Sequence, residues 1–182
     1  MIRLVIISLM ITLTLNSVSQ TDWELKKFEF NNEYILQYKD SVIRFQYTYD
    51  VPDQIIHEWY YWFDSILHMT RGGFNGKLLD GNFEKFDKEG NMLVKGKFKC
   101  GLKNWEWKYW NSKGELIKVE KWKDGLESGT FQYWDDDGNI KKEVRYDNGI
   151  LNGYTIIYSD DTITSKKYYK KGKLVSKKRW LF

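Results

Sequence analysis

Groups able to do covalent or metal chemistry are few and scattered along the 182 residues. The two histidines, His57 and His68, have no cysteine or glutamate at ligand spacing, so no metal site is indicated. Cys100 is the only cysteine, which rules out an intrachain disulfide and leaves a turn residue or a thiol that could pair between chains. Asp135-Asp136-Asp137-Gly138-Asn139 has the acidity of a calcium loop without its frame. An EF-hand needs acidic residues two apart and a closing glutamate, and Tyr133 stands where the first ligand belongs. Glu106, Glu115, Glu120 and Glu143 occupy solvent-facing positions by pattern, where they balance nearby lysines better than they make a glycosidase pair. No phosphate-cradling glycine loop, nucleophile elbow or His-Glu-x-x-His occurs. The expectation is a protein that is not an enzyme and needs no cofactor.

Aromatic rings, by contrast, are abundant: nine Trp, thirteen Tyr and ten Phe. In Trp105-Glu106-Trp107-Lys108-Tyr109-Trp110, strand alternation puts Trp105, Trp107 and Tyr109 on one face and Trp110 on the other. Phe131 and Tyr133 repeat the arrangement further on. Trp105, Trp107, Tyr109, Phe131 and Tyr133 are therefore the candidate binding platform for a sugar, a peptide strand or a membrane interface, unless the rings pack on one another.

Charge adds a second candidate. Residues 20–80 carry 6 Lys and Arg against 10 Asp and Glu, a balance of −4, whereas residues 81–182 carry 22 against 15, a balance of +7. From Ile163 onward there are eight basic residues and no acidic one, with Lys166, Lys167, Lys170 and Lys171 as the candidate basic contact. A glycan or an anionic lipid suits an exported chain better than nucleic acid does, and lysines on an edge strand also block unwanted pairing.

The elements that must position these residues repeat with a period of 24. Gly81-Asn82-Phe83 returns as Trp105-Glu106-Trp107, Gly129-Thr130-Phe131 and Gly153-Tyr154-Thr155. A second column runs Phe86, Trp110, Trp134, Tyr158, and a third runs Phe98, Trp122, Tyr146, Tyr169 with one residue lost in the last copy. Apolar residues alternate between Gly90, Gly114 and Gly138 on one side and Gly101, Gly125, Gly149 and Gly172 on the other. Period two means strand, and Asp124-Gly125 or Asn148-Gly149 is the signal of a tight hairpin, a slot that Cys100 shares. A lone hairpin cannot bury an aromatic face, so the units must stack edge to edge with the second and third columns as two ring ladders.

The pattern Gly129-x-Phe131-x-Tyr133-Trp134, then Asp137-Gly138-Asn139, then Val144-x-Tyr146-x-Asn148-Gly149-x-Leu151-Asn152-Gly153 resembles the bacterial variant of the MORN repeat. The resemblance covers about Gly76 to Phe182 and implies hairpins that mediate protein or membrane contacts; some bacterial members carry an antitoxin label. The chain departs from the pattern at Trp105, which replaces the leading glycine, and in the fourth unit, which lacks a turn glycine and has Thr155 in place of an aromatic.

Upstream, Arg3, the apolar run Leu4 to Leu15 and Ser17-Val18-Ser19 form the pattern of a secretory signal cleaved after Ser19. The expected organisation is residues 1–19 signal peptide, 20–56 N-terminal capping segment with a short helix near Gln54 to Trp62, 57–80 a degenerate repeat, and 81–182 the repeats. The fold class is all-β: an elongated single-layer twisted antiparallel sheet with an α+β or β cap. The expected function is an exported binding or scaffolding protein of the periplasm, cell envelope or exterior, with an unidentified protein, glycan or anionic lipid partner and sheet edges open to self-association. Carbohydrate or cell-wall binding and an antitoxin or immunity role are the alternatives.

Overall fold

The structure is a computed structural model that describes residues 26–30, 33–37, 40–48, 58–63, 66–70 and 75–176. The expected signal and its cleavage point lie outside the described residues, as do His57 and Phe74. Among the described residues there is no helix, and the strands join into one open 15-stranded sheet in which all pairings are antiparallel.

In chain order the strands are β1 (Lys26–Phe30), β2 (Glu33–Gln37), β3 (Ser41–Thr48), β4 (Trp59–Phe63), β5 (Ile66–Thr70), β6 (Lys77–Asp87), β7 (Met92–Lys99) and β8 (Leu102–Trp110). There follow β9 (Leu116–Lys123), β10 (Leu126–Glu127), β11 (Gly129–Trp134), β12 (Ile140–Asp147), β13 (Ile150–Ser159), β14 (Thr162–Lys170) and β15 (Lys173–Leu174). The main path is β1-β2-β3-β6-β7-β8-β9-β11-β12-β13-β14-β15. At roughly 4.8 Å between strands, it extends on the order of 50 Å.

The period becomes geometry at four registers. A bulge follows Lys85, Tyr109, Tyr133 and Ile157, in each case displacing the next aromatic, Phe86, Trp110, Trp134 or Tyr158. These aromatics are half-buried beside the first turns, and among the described residues no ring contact joins them, so the second ladder does not form. The bulge spaces them apart. In the second turns both central residues have positive φ, as in Cys100 at 45° with Gly101 at 77° and Asn148 at 48° with Gly149 at 78°. Such a primed turn matches the twist of its strands. The N–H groups of Gly101, Gly125, Gly149 and Gly172 donate at 2.7–2.9 Å to the carbonyls of Leu79, Lys103, Glu127 and Leu151, tying each unit to the one before it.

The leading position is left-handed in all four units: Gly81 at 91°, Trp105 at 60°, Gly129 at 88° and Gly153 at 127°. A Cβ at Gly81 would meet Gln46, at Gly129 Lys121 and at Gly153 Arg145, so glycine here makes room for a long side chain lying across the next strand.

The hairpin β4–β5 does not lie before β6 in the stack. β3 does: Phe45 pairs with Phe83 and Tyr47 with Leu79, with a bulge between, as Val144 pairs with Thr155 and Tyr146 with Leu151. The hairpin β4–β5 leaves the path, pairing with β6 at Tyr61 and Trp62 opposite Leu78 and Lys77. The helix expected near Gln54 to Trp62 gives way to β4 from Trp59 onward, because five successive aromatics favour extended backbone. Gln54 to His57 lie outside the described residues. The cap is thus β in its described part, with the hairpin laid over one face of the sheet.

That covered face holds the core. Tyr34, Leu36, Phe45, Tyr47, Leu79, Phe98 and Trp107 are buried together, and Tyr60 and Leu67 of the hairpin pack on them. Trp59, Tyr61, Leu78 and Leu102 form a second cluster against Cys100.

Candidate functional site

Ring contacts determine what the aromatic residues can do. Phe98 meets Trp107 at 4.7 Å between centroids, and Phe83 meets both at 5.5 Å. Trp122 meets Phe131 at 5.7 Å, and Phe131 meets Tyr146 at 4.9 Å. Phe131 therefore interleaves Trp122 and Tyr146, and Trp107 packs on Phe98 and Phe83. These are two of the five platform candidates, and Lys103 rather than a ring contact lies between Trp107 and Trp122. Trp107 is 2% exposed and Phe131 4% exposed, so neither can be a contact surface. Trp107 fits because Gly96 lies beneath its indole, where a Cβ would come within 2.2 Å; its Nε1 donates to the Lys97 carbonyl at 3.2 Å. Tyr109 and Tyr133 are half-buried on the same face, whereas Trp105 is 55% exposed on the opposite one. The left-handed φ at Trp105 breaks the alternation that would have aligned it with Trp107.

The interleaving brings together two charged residues that the pattern did not single out as a pair. Lys103 Nζ stands 4.8 Å from the Trp107 ring centroid, 4.9 Å from Trp122, and 5.8 Å from both Tyr60 and Tyr109. The carboxylate of Glu120 lies 3.6 Å away and accepts from Tyr109 Oη at 2.7 Å and Trp122 Nε1 at 3.0 Å, with Lys118 also paired to it. Glu120 is 5% exposed, which corrects its assignment to the solvent face. Its place is the column of Gly96 and Val144, while Lys103 occupies the column of Leu79, Glu127 and Leu151. Opposite charges at two adjoining core columns were the signal available in the sequence.

Burial among the rings pulls the Lys103 ammonium below the ordinary lysine range, against the attraction of Glu120. Burial pushes Glu120 up, but hydrogen bonds from Lys118 and Tyr109 and the charges of Lys103 and Lys118 outweigh it and hold the carboxyl below its ordinary value. Tyr60 is pushed up to about 12 by burial, then by the charges of Glu58 and Glu120. Tyr109 is raised by burial first and Glu120 second. The Lys103–Glu120 pair thus lies among rings of the repeats and of the hairpin, with Tyr60 bringing β4 within reach of the ammonium. Glu106 stays exposed with Lys108 at 3.1 Å; Glu115 accepts from Asn111 at 2.7 Å and Glu143 from Gln132 at 2.9 Å.

No family model matches the chain, and no curated protein matches it.

The acidic turn is occupied by its own backbone: Asp135 Oδ1 accepts from the N–H groups of Asp137 at 3.1 Å and Asn139 at 2.9 Å. Among the described residues no group of three His, Cys, Asp or Glu could hold a metal ion. Lys166, Lys167, Lys170 and Lys171 are exposed on β14 and the turn after it, and Lys166 Nζ sits 4.4 Å over the Tyr154 ring. Tyr154 and Tyr168 pack at 5.0 Å beside them, both exposed. The four lysines therefore share the end of the sheet with bare apolar surface, to which Tyr154 contributes beside Tyr168.

Proposed function

We infer that the chain is an exported MORN-like repeat protein that binds or scaffolds a partner, without catalysis, through the last hairpin unit. The supporting observation is where apolar surface remains bare. Among the described residues nine large apolar side chains stand exposed, and seven of them fall between Ile150 and Val175. Thr155 has no ring to continue the ladder past Tyr146, so this unit ends the stack without the cover that the hairpin gives the other end. β15 pairs with Tyr169 and Lys170, and the Val175 N–H donates to the Tyr168 carbonyl at 2.8 Å; beyond these the outer edge of β14 has no strand beside it among the described residues. Such an edge accepts an extended segment, which gains main-chain hydrogen bonds and side-chain pockets at alternate positions. The lysines along it repel a second copy and attract an acidic strand.

The 24-residue hairpin unit with Asx-Gly turns supports the MORN-like reading, and the N-terminal signal pattern supports export to the envelope or exterior. The binding role is checked with a labelled peptide alternating valine and glutamate against one alternating valine and lysine. The acidic peptide should bind and the basic one should not. Both Tyr154→Ala/Tyr168→Ala and Lys166→Glu/Lys167→Glu should weaken it at least about tenfold, with the circular dichroism melt unchanged. Equal binding of the two peptides, or indifference to both variants, overturns the reading.

A further inference from the structure

Trp105 is the one leading position not occupied by glycine, and it keeps the left-handed backbone there, at φ 60°. The other residues with positive φ outside glycine, Cys100, Asp124, Asn148, Asp160, Asp161 and Lys171, belong to tight turns. A bulky aromatic in this conformation is an outlier, and such strain persists where the surroundings or a function require it. The repeat imposes this backbone at the leading position of every unit, but packing does not require a large ring to occupy it, because the indole is 55% exposed. The side chain instead forms one wall of a shallow groove of about 350 Å³ on the uncovered face, with Asn82, Lys95, Lys97, Glu106 and Lys108 around it.

The charges in the groove are almost balanced. Lys95 pairs with Glu84 at 3.2 Å and Lys108 with Glu106 at 3.1 Å. Lys97 has no carboxylate partner among the described residues. One unanswered cation beside a flat ring, with a carboxylate and an amide at the rim, defines the ligand's chemistry. The indole face takes the C–H face of a sugar ring, Lys97 takes one negative charge, and Glu106 and Asn82 exchange hydrogen bonds with hydroxyls. A phosphate backbone would bring more negative charge than the groove answers and would be repelled by Glu106. We propose that the groove at Trp105 binds an acidic sugar residue, one carboxylate per ring, within a linear polysaccharide. The site is separate from the β14 edge and stands or falls independently of it.

The full chain is titrated by calorimetry with tetramers of galacturonate, glucuronate and mannuronate, each beside its carboxyl-reduced neutral counterpart. At least one uronate tetramer should bind tenfold or more tightly than its neutral form. Trp105→Gly, which restores the glycine of the other units, should weaken that binding at least tenfold and melt at or above the wild-type temperature. Lys97→Met should abolish the preference for the acidic over the neutral tetramer. Binding that survives Trp105→Gly undiminished, the absence of any uronate preference, or tighter binding of single-stranded DNA than of every uronate would each overturn the assignment.

Discussion

At the scale of the residue, the buried pair of Lys103 and Glu120 explains more of the molecule than any exposed group. Removing either partner leaves a different problem. Glu120→Ala strands an ammonium ringed by Tyr60, Trp107, Tyr109 and Trp122, and an uncompensated buried charge costs about 3–5 kcal/mol. Lys103→Met leaves Glu120 with Lys118, Tyr109 and Trp122 and fills the cage with an apolar chain, so it should cost about 1 kcal/mol or less. Urea unfolding of the two variants and of the double variant checks this, the double variant recovering most of the loss. Glu120 also sets an acid limit. Its folded carboxyl titrates below the ordinary 4.5, so its stabilisation is whole above that pH and is lost as pH falls through the lower folded value. The stability gap between wild type and Glu120→Ala should therefore close on acidification below about 4.5.

At the scale of the element, the hairpin and its turns were legible because their causes are local. A two-residue alternation, an Asx-Gly pair and a glycine every 24 residues need no knowledge of the partner strand. The ladder was legible only in part. Phe98, Trp122 and Tyr146 lie on the packed face as expected, whereas Tyr169, the fourth rung, makes no ring contact among the described residues. Trp107 and Phe131 could be read as surface or as packing because nothing local marks which of a strand's two faces is buried. The decision is made at a distance, by Gly96 under Trp107 and by Tyr60 and Leu67 of a hairpin that precedes the repeats. Trp105 was misplaced for another reason: a left-handed residue reverses the alternation beyond it, and only the column of glycines hints at that. The same column makes a graded prediction. Gly138→Ala, at φ 81° with nothing near its Cβ, should cost only the left-handed penalty of about 1–2 kcal/mol. Gly153→Ala, at φ 127° with Arg145 Cδ at 2.6 Å, adds displacement of a long side chain and should cost more, which thermal melts of the two variants would show.

For the whole molecule, the open sheet raises the question of what would keep copies from pairing without limit. The hairpin and cap attend to one end, where Tyr34, Phe45 and Tyr47 are buried. The other end shows bare apolar residues along β14 and β15, a combination that elsewhere seeds edge-to-edge association. What opposes it is charge. An antiparallel pairing of two β14 strands would set Lys166, Lys167 and Lys170 of one copy against those of the other, and like charges directly opposite destabilise a pair. The repulsion is between exposed groups, so salt screens it over a Debye length of about 8–10 Å near physiological ionic strength. Wild type should sediment as a monomer in dilute buffer and shift toward dimer as salt rises. Lys166→Thr/Lys167→Thr/Lys170→Thr should dimerise at low salt, because threonine removes the repulsion while keeping strand propensity. A triple variant that stays monomeric over the accessible concentration range would mean that the lysines do not guard this edge, and that the short pairing of β15 with Tyr169 and Lys170 is enough to close it.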